Sequence, residues 1–327
     1  KNVTLTVAAA QMSSQDGNIE ANLGHAESFV RESVAQGARL LVFPELMSPG
    51  YRMTTQLWDA GEPFDGPTVR WLKEVAAHYH LYVGASFLES DGCDFLNTFA
   101  LGAPNGRIAG AIRKRFPSIW EAYFFKGCDC INVIETEFGR LGVGICFDAH
   151  TATVAEAIMD ADVDLMLMPH SYCTPTQATR MMPAHDIARL NALPGCVAQQ
   201  YSELFGVPVV LANKSGAWDS PVPPTILGQP WGYTFSGRSV IVAADGSVKK
   251  QLDTDEGLAV AEVTLDPALK RHNPPPHYGR YIYPGPLGRE IFRVVEAVGH
   301  LGYRLSSERK RKAAECVANE RQQETRA

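Results

Sequence analysis

The sequence predicts an α/β protein, a sandwich of two mixed β-sheets covered by helices. Three observations carry that expectation. Short apolar runs of strand length alternate with amphipathic helical stripes almost from the first residue. Some neighbouring runs are joined by tight turns and others by helices, so antiparallel and parallel pairing must share a sheet. The chain has 327 residues, 45% of them hydrophobic, without a composition break, a tandem repeat or a low-complexity block. One large core that buries two sheets face to face suits such a chain.

The elements follow in order. "VTLTVAAAQ" alternates as a strand. Residues 18–36 form a helix capped by Asn18, because Ile19, Leu23, Ala26, Val30 and Val34 make one stripe that Gly37 ends. "ARLLVF" (38–43) is apolar throughout, as in a strand buried on both faces. A helix over 67–80 precedes the strand "LYVGASFL" (81–88) and a hairpin over 96–113 that turns at Pro104-Asn105-Gly106. "INVIET" and "LGVGICF" are strands around a turn at Phe138-Gly139-Arg140. Helix 151–161, strand 163–169, a helical region 176–204 and strand 207–213 continue the alternation, with Pro194-Gly195 expected to kink or end the long helix. Strands 238–244 and 258–264 are joined through Asp245-Gly246. "HNPPPHYGRYIYPGP" (272–286) reads as a polyproline-type surface connection. A helix over 287–303 carries Ile291, Val294, Val295, Val298 and Leu301 on one face, and residues 306–327 read as a charged tail, frayed or bound to a partner.

Composition excludes several classes of function. The net charge of −6 argues against a nucleic acid or an anionic membrane as partner. No apolar run approaches the roughly 18 residues of a membrane span. The N-terminal stretch lacks the layout of a signal peptide, and the missing initial Met leaves room for a few residues before Lys1. Seven irregularly spaced cysteines suggest reduced thiols and a cytoplasmic setting. The Cys128-x-Cys130 pair has no second pair at ligand distance, so neither a metal nor another cofactor is expected.

Three segments end apolar strands in reactive groups: "LLVFPEL" in Glu45, "AIRKRFPSIWEAYF" in Lys114 and Glu121, and "VGICFD" in Cys146. Singly, Glu45 reads as a loop acid, Lys114 as part of a solvated basic run and Cys146 as a core thiol. Together, a carboxylate, an ammonium and a thiol at one sheet edge suit attack on an unreactive C–N carbon. The carboxylate takes the thiol proton, the ammonium steadies developing negative charge, and the backbone N–H of Phe147 is a second donor to it.

The combination resembles the nitrilase superfamily of carbon–nitrogen hydrolases. "AAAQM", "GARLLVFPEL", the Lys–Pro–Glu segment, "GICFD", "VPVVLANKSG" and "FSGRSVIVAADG" stand in that family's order over about residues 5 to 265. The resemblance implies a four-layer αββα sandwich. It also implies a triad with Glu45 as general base, Lys114 as electrostatic stabiliser and Cys146 as nucleophile on a strand-to-helix elbow. Glu121 would correspond to the family's second glutamate, anchored by Phe125 and positioning substrate or water, with Asp148 a structural acid near the elbow. Substrate-binding candidates are Tyr51, Trp120, Phe147, His150, His170 and Tyr172, with Trp218 and Trp231 as further aromatics that either shape the site or simply pack. The expected organisation is a hydrolase domain over 1–286 and a C-terminal helix and tail over 287–327 at the interface of a homodimer or larger assembly.

Departures from the family bear on the substrate, a small amide or nitrile. "AHTATVAEA" replaces the usual aromatic–Pro–Glu continuation after Cys-x-Asp, which puts His150 on unusual ground. Lys114 lacks the histidine two residues on that carbamoyl amino-acid hydrolases carry, and its spacing to Pro117 is nitrilase-like. Phe147-Asp148 is the amidase form of the cysteine flank and, lying next to the reacting carbon, weighs more. An amide is therefore preferred, with nitrile hydrolysis, acyl transfer from the same thioester and a scaffold without turnover as alternatives. A papain-like protease does not fit, because a strand precedes Cys146 where papain's cysteine opens a helix.

Overall fold

Alternation along the strands builds the layers. In a computed structural model, which describes residues 2–180, 182–221, 232–284 and 289–324, β1 (Val3–Gln11) sends Leu5, Val7 and Ala9 to one side and Ala8 and Ala10 to the other. β2 (Leu40–Val42) divides in the same way, Leu40 and Val42 against Leu41. These strands lie in a six-stranded sheet with β3 (Tyr82–Ser90), β4 (Phe95–Gly102), β5 (Ile108–Arg113) and the last strand of the chain, β15 (Gly257–Leu265), which pairs antiparallel with β1. β1, β2 and β3 run parallel, and the hairpin β3–β4–β5 is antiparallel, so the sheet is mixed as expected.

The second sheet repeats the plan. β7 (Gly139–Val143), β8 (Leu165–Pro169) and β10 (Val209–Ala212) run parallel at its centre, flanked by β6 (Val133–Thr136) on one edge and β13 (Val240–Val242) with β14 (Val248–Gln251) on the other. Leu165, Leu167 and Val210 meet the inward residues of the first sheet, while Met166, Met168 and Leu211 face helices. α1 (Ile19–Ala35) and α2 (Pro67–Tyr79) cover the first sheet; α3 (Ala152–Asp160) and α4 (Ala184–Phe205) cover the second. The result is the four-layer αββα sandwich. A small sheet of β9 (Cys173–Pro175), β11 (Ala217–Trp218) and β12 (Tyr233–Phe235) sits beside it.

Several boundaries differ from expectation. Asp245-Gly246 does not lead to the strand over 258–264; it turns β13 into β14, with Ser247 donating to the Asp245 carboxylate, and β15 crosses to the other sheet. The helical region starts only at Ala184, after Pro183 as its N-cap, and Pro194 lies inside α4 without ending it. Gly206 ends it instead at φ +63°, where a Cβ would stand 1.8 Å from the Leu269 carbonyl oxygen. β7 stops at Val143, short of the cysteine. The 272–286 connection is not all surface, because Tyr281 and Ile282 are buried.

The charged tail is a helix. α5 (Arg289–Leu305) is followed by α6 (Ser307–Glu324). Arg309 is buried, donates to the Cys93 carbonyl and pairs with Asp94 at 2.7 Å; Lys312 pairs with Asp59 at 2.7 Å; and Ala313 is fully buried. A segment expected to be a tail, frayed or bound to a partner, is thus a helix that its charges dock on the domain. Among the described residues, no helix is long and apolar enough to cross a membrane.

Candidate active site

Chemistry-bearing residues collect beyond the carboxyl ends of β2, β5, β7 and β8, where an open sheet leaves a crevice. Glu45 follows β2 by three residues, Lys114 follows β5 directly, and Cys146 and His170 follow β7 and β8. All four are buried.

Lys114 is the hub. Its Nζ donates to Glu45 Oε1 at 2.6 Å and lies 2.8 Å from Glu121 Oε2 and 2.9 Å from Glu121 Oε1. Glu121 also accepts from the Tyr51 hydroxyl and from the Ser118 backbone N–H, the latter closing a capping box on the 3₁₀ turn Ile119–Tyr123. Asn97, on β4, donates to Glu45 Oε1 at 2.8 Å and accepts from Ser86. Glu45 Oε2 is buried without a hydrogen bond to its oxygen, although the Cys146 thiol acts on this carboxyl and lowers its pKa.

Burial, opposed mainly by Lys114, leaves Glu45 at about 6, close to neutrality. Burial also acts to lower the Lys114 pKa, but the two carboxylates raise it further, so the ammonium stays charged. The Cys146 thiol is pushed well above its ordinary value by burial and then by Glu45, against the pull of Lys114. At rest it holds its proton beside a carboxylate able to take it.

Backbone strain concentrates here. Cys146 has φ +46°, Leu46, next to Glu45, has φ +45°, and Ile119, in the turn that carries Glu121, has φ +42°. A non-glycine residue in this region costs on the order of 1–3 kcal/mol, and surrounding structure must hold it. Asp148 does so at the elbow: its two oxygens accept from the backbone N–H groups of Arg115 and Phe116, both at 2.8 Å, which ties the lysine segment to the cysteine turn Cys146–His150. Glu296 of α5 accepts from Ile119 N at 3.1 Å and is itself gripped by Arg280 at 2.7 and 2.8 Å.

The remaining expected residues divide. Tyr51 joins the hub through Glu121, and Trp218 donates from Nε1 to the Tyr51 carbonyl at 2.7 Å. His150 and His170 meet at 3.2 Å, and Tyr172 stacks on His150 with centroids 5.9 Å apart. The Phe147 ring lies against Tyr281 and under the Arg280 guanidinium. Trp120 is half-buried and packs on the aromatic cluster around Tyr51. Trp231 lies outside the described residues. No cluster of three or more His, Cys, Asp or Glu suited to a metal occurs among the described residues.

Sequence reading missed Asn97 and Tyr283. Asn97 left a signal, a lone amide within the apolar run "FLNTFALG", where a buried polar group must find a partner. Tyr283 left none, because 137 residues separate it from Cys146 and only folding brings the two near enough for the thiol to push the Tyr283 phenol up.

Comparison with known proteins agrees with this architecture. The carbon–nitrogen hydrolase family model matches residues 6–268. The chain is 28% identical over 264 residues to a nitrilase of Pyrococcus abyssi, covering 79% of this chain and 89% of that protein. It is 26% identical over 272 residues to N-carbamoylputrescine amidase of Arabidopsis thaliana, covering 80% and 87%. The crystal structure of a carbon–nitrogen hydrolase from Helicobacter pylori G27 has the same fold, with a TM-score of 0.69 at 20% identity over 80% of this chain and 89% of that one. The chain belongs to the carbon–nitrogen hydrolase family.

Proposed function

We propose that the protein is a cofactor-free thiol hydrolase that cleaves the C–N bond of a small amide-type substrate through an acyl-Cys146 thioester. The observation that carries this reading is the buried Lys114 ammonium, held between two carboxylates at 2.6 and 2.8 Å, beside a thiol on a strained elbow. Such a cluster costs desolvation and strain that a purely structural core would avoid.

In this mechanism Cys146 Sγ attacks the carbonyl carbon as its proton passes to Glu45, whose pKa of about 6 suits a base that must later act as an acid. The new S–C bond places negative charge on the former carbonyl oxygen. Lys114 Nζ and the Phe147 N–H stabilise it. Glu45 returns the proton to the departing nitrogen, the C–N bond breaks, and ammonia or an amine leaves. Water, activated by the same carboxylate and positioned with Glu121, then hydrolyses the thioester.

An amide is favoured over a nitrile by the Phe147-Asp148 flank. Nitrile hydrolysis stays as a second reading on the Lys114–Pro117 spacing and the nitrilase relative. Matched amide and nitrile pairs, assayed by ammonia release, separate the two: a higher kcat/KM for the nitrile across several side groups refutes the amide assignment.

The same reading takes residues 1–286 as the hydrolase domain and 287–327 as its contact with a second copy in a cytoplasmic homodimer. On α5, Val294, Val298, Leu301 and Leu305 are 49–71% exposed, and their 4-3-4 spacing makes a coiled-coil type of seam. Light scattering at micromolar concentration should give at least twice 35.7 kDa; the monomer mass refutes the assembly.

A further inference from the structure

Beside Cys146 four groups stand in single file without a part in the chemistry above. Tyr283 Oη lies 3.0 Å from His150 Nδ1, His150 Nε2 lies 3.2 Å from His170 Nε2, and His170 Nδ1 lies 3.1 Å from the Met168 carbonyl oxygen. A carbonyl only accepts, so His170 carries its proton on Nδ1 and presents a lone pair at Nε2. His150 must then donate from Nε2, which leaves its Nδ1 bare. That nitrogen accepts the Tyr283 O–H. With both imidazoles neutral, one arrangement of protons satisfies all three links.

The surroundings hold this arrangement. Both histidines are buried, and burial keeps His170 at about 3 and His150 well below its ordinary value. The His150 ring lies parallel to Tyr172, with a 5° interplanar angle, and edge-on to Tyr283 at 5.6 Å. Tyr172 and Tyr283 both stand near enough to Cys146 for electrostatic interaction with the thiol.

A phenol whose one proton is committed to an imidazole offers only lone pairs to any further partner. We propose that Tyr283 is a specificity-determining residue: held as an acceptor by the His150–His170 pair, its oxygen takes a hydrogen bond from an N–H of the substrate. The preferred substrates therefore carry a free –NH2 at the scissile carbon, as primary amides and ureido compounds do, and N–H-free esters and nitriles are disfavoured. This rests on the reading of Cys146 as nucleophile. His150 and His170 act through Tyr283 and are positioning residues.

The test compares a primary amide with the methyl ester of the same acyl group, since both acylate Cys146 to the same thioester. Tyr283→Phe in the full chain should lower kcat/KM for the amide by about tenfold, the worth of one hydrogen bond of about 1.4 kcal/mol. The ester should change by less than about threefold. His150→Phe keeps the aromatic stack and breaks the relay, so it should lower the amide-to-ester ratio in the same direction; it also gives the readout if Tyr283→Phe folds poorly. Equal losses for both substrates, or an unchanged ratio in both variants, overturn the proposal. Cys146→Ala separates the two claims. Amide hydrolysis that survives in it removes the thiol mechanism, whereas an inactive Cys146→Ala with an unchanged ratio in the tyrosine and histidine variants removes only the role of Tyr283.

Discussion

Replacing Lys114 by methionine leaves a chain of similar length without its charge. Nζ now stands between Glu45 Oε1 at 2.6 Å and Glu121 Oε1 at 2.9 Å, so without it two buried carboxylates face each other. These contacts put the two oxygens at most about 5.5 Å apart, and unit charges at that distance repel by about 3 kcal/mol at an effective dielectric of about 20. One carboxyl escapes that cost by protonating. The value of Glu45 already contains the repulsion, and what the variant loses is the opposing pull of Lys114, which lies closer and so is worth at least as much, a rise of about two pKa units. Glu45 already stands at about 6, so in the variant it is largely protonated at neutral pH and fails as a base. The oxyanion donor disappears as well, a loss worth about two to three orders of magnitude. Lys114→Met should therefore lower kcat/KM for amide hydrolysis by at least about a hundredfold and move the acid limb of the residual pH profile up by about two units. Lys114→Arg should not rescue, because a planar guanidinium cannot take the place of a compact ammonium in a fully buried site. The assay is ammonia release between pH 5 and 9.5, with circular dichroism to establish folding. A folded Lys114→Met or Lys114→Arg protein within about threefold of the parent, with its acid limb unmoved, refutes the reasoning.

Two further outcomes follow from groups around the hub. Asp148→Asn keeps one acceptor oxygen but turns an NH2 toward the other of two backbone N–H groups, so urea denaturation at pH 8 should register a loss of about 3 kcal/mol. The deficit should widen below pH 7, because burial raises Asp148 to about 7 and the folded parent there binds a proton that the unfolded chain does not, a gain the variant lacks; an unchanged stability at pH 8 contradicts the clamp. Lys214 is buried, donates to Ser14 Oγ at 2.6 Å, and is pushed down to about 7 by burial. Its ordinary value is about 10.4, so between these pH values the unfolded chain binds more protons and this residue makes stability rise with pH, by up to about 4–5 kcal/mol. Lys214→Met should flatten the rise between pH 7 and 10 in urea titrations; parallel curves for parent and variant would count against a neutral buried amine.

Legibility in the sequence tracked how local the physics is. β1, α1 and β2 were readable because each shows its own periodicity, two along the strands and 3.6 along the helix. The order β13–β14 with β15 in the other sheet was not, since Asp245-Gly246 marks a turn without saying which strand comes after it. The docking of α6 was not legible, because Arg309 and Lys312 show no partner in the sequence until Asp94 and Asp59 are brought to them. Glu45, Lys114 and Cys146 were legible together through their strand-end contexts, and Glu121 through the family resemblance. The left-handed backbone at Cys146 and the distance-spanning approach of Tyr283 arise from tertiary packing, and no window of sequence contains them. Even the 272–286 connection, proline-rich and apparently external, supplies Tyr283 to the site's edge.

The central claim is a covalent bond to one sulfur, and mass spectrometry of an acid-quenched turnover mixture tests it most directly. With a primary amide as substrate and Glu121→Gln used to slow resolution, the peptide containing Cys146 should gain the mass of the acyl group, and Cys146→Ala should give neither adduct nor ammonia. Steady ammonia release with an unmodified Cys146 peptide, together with full activity in Cys146→Ala, would contradict the account.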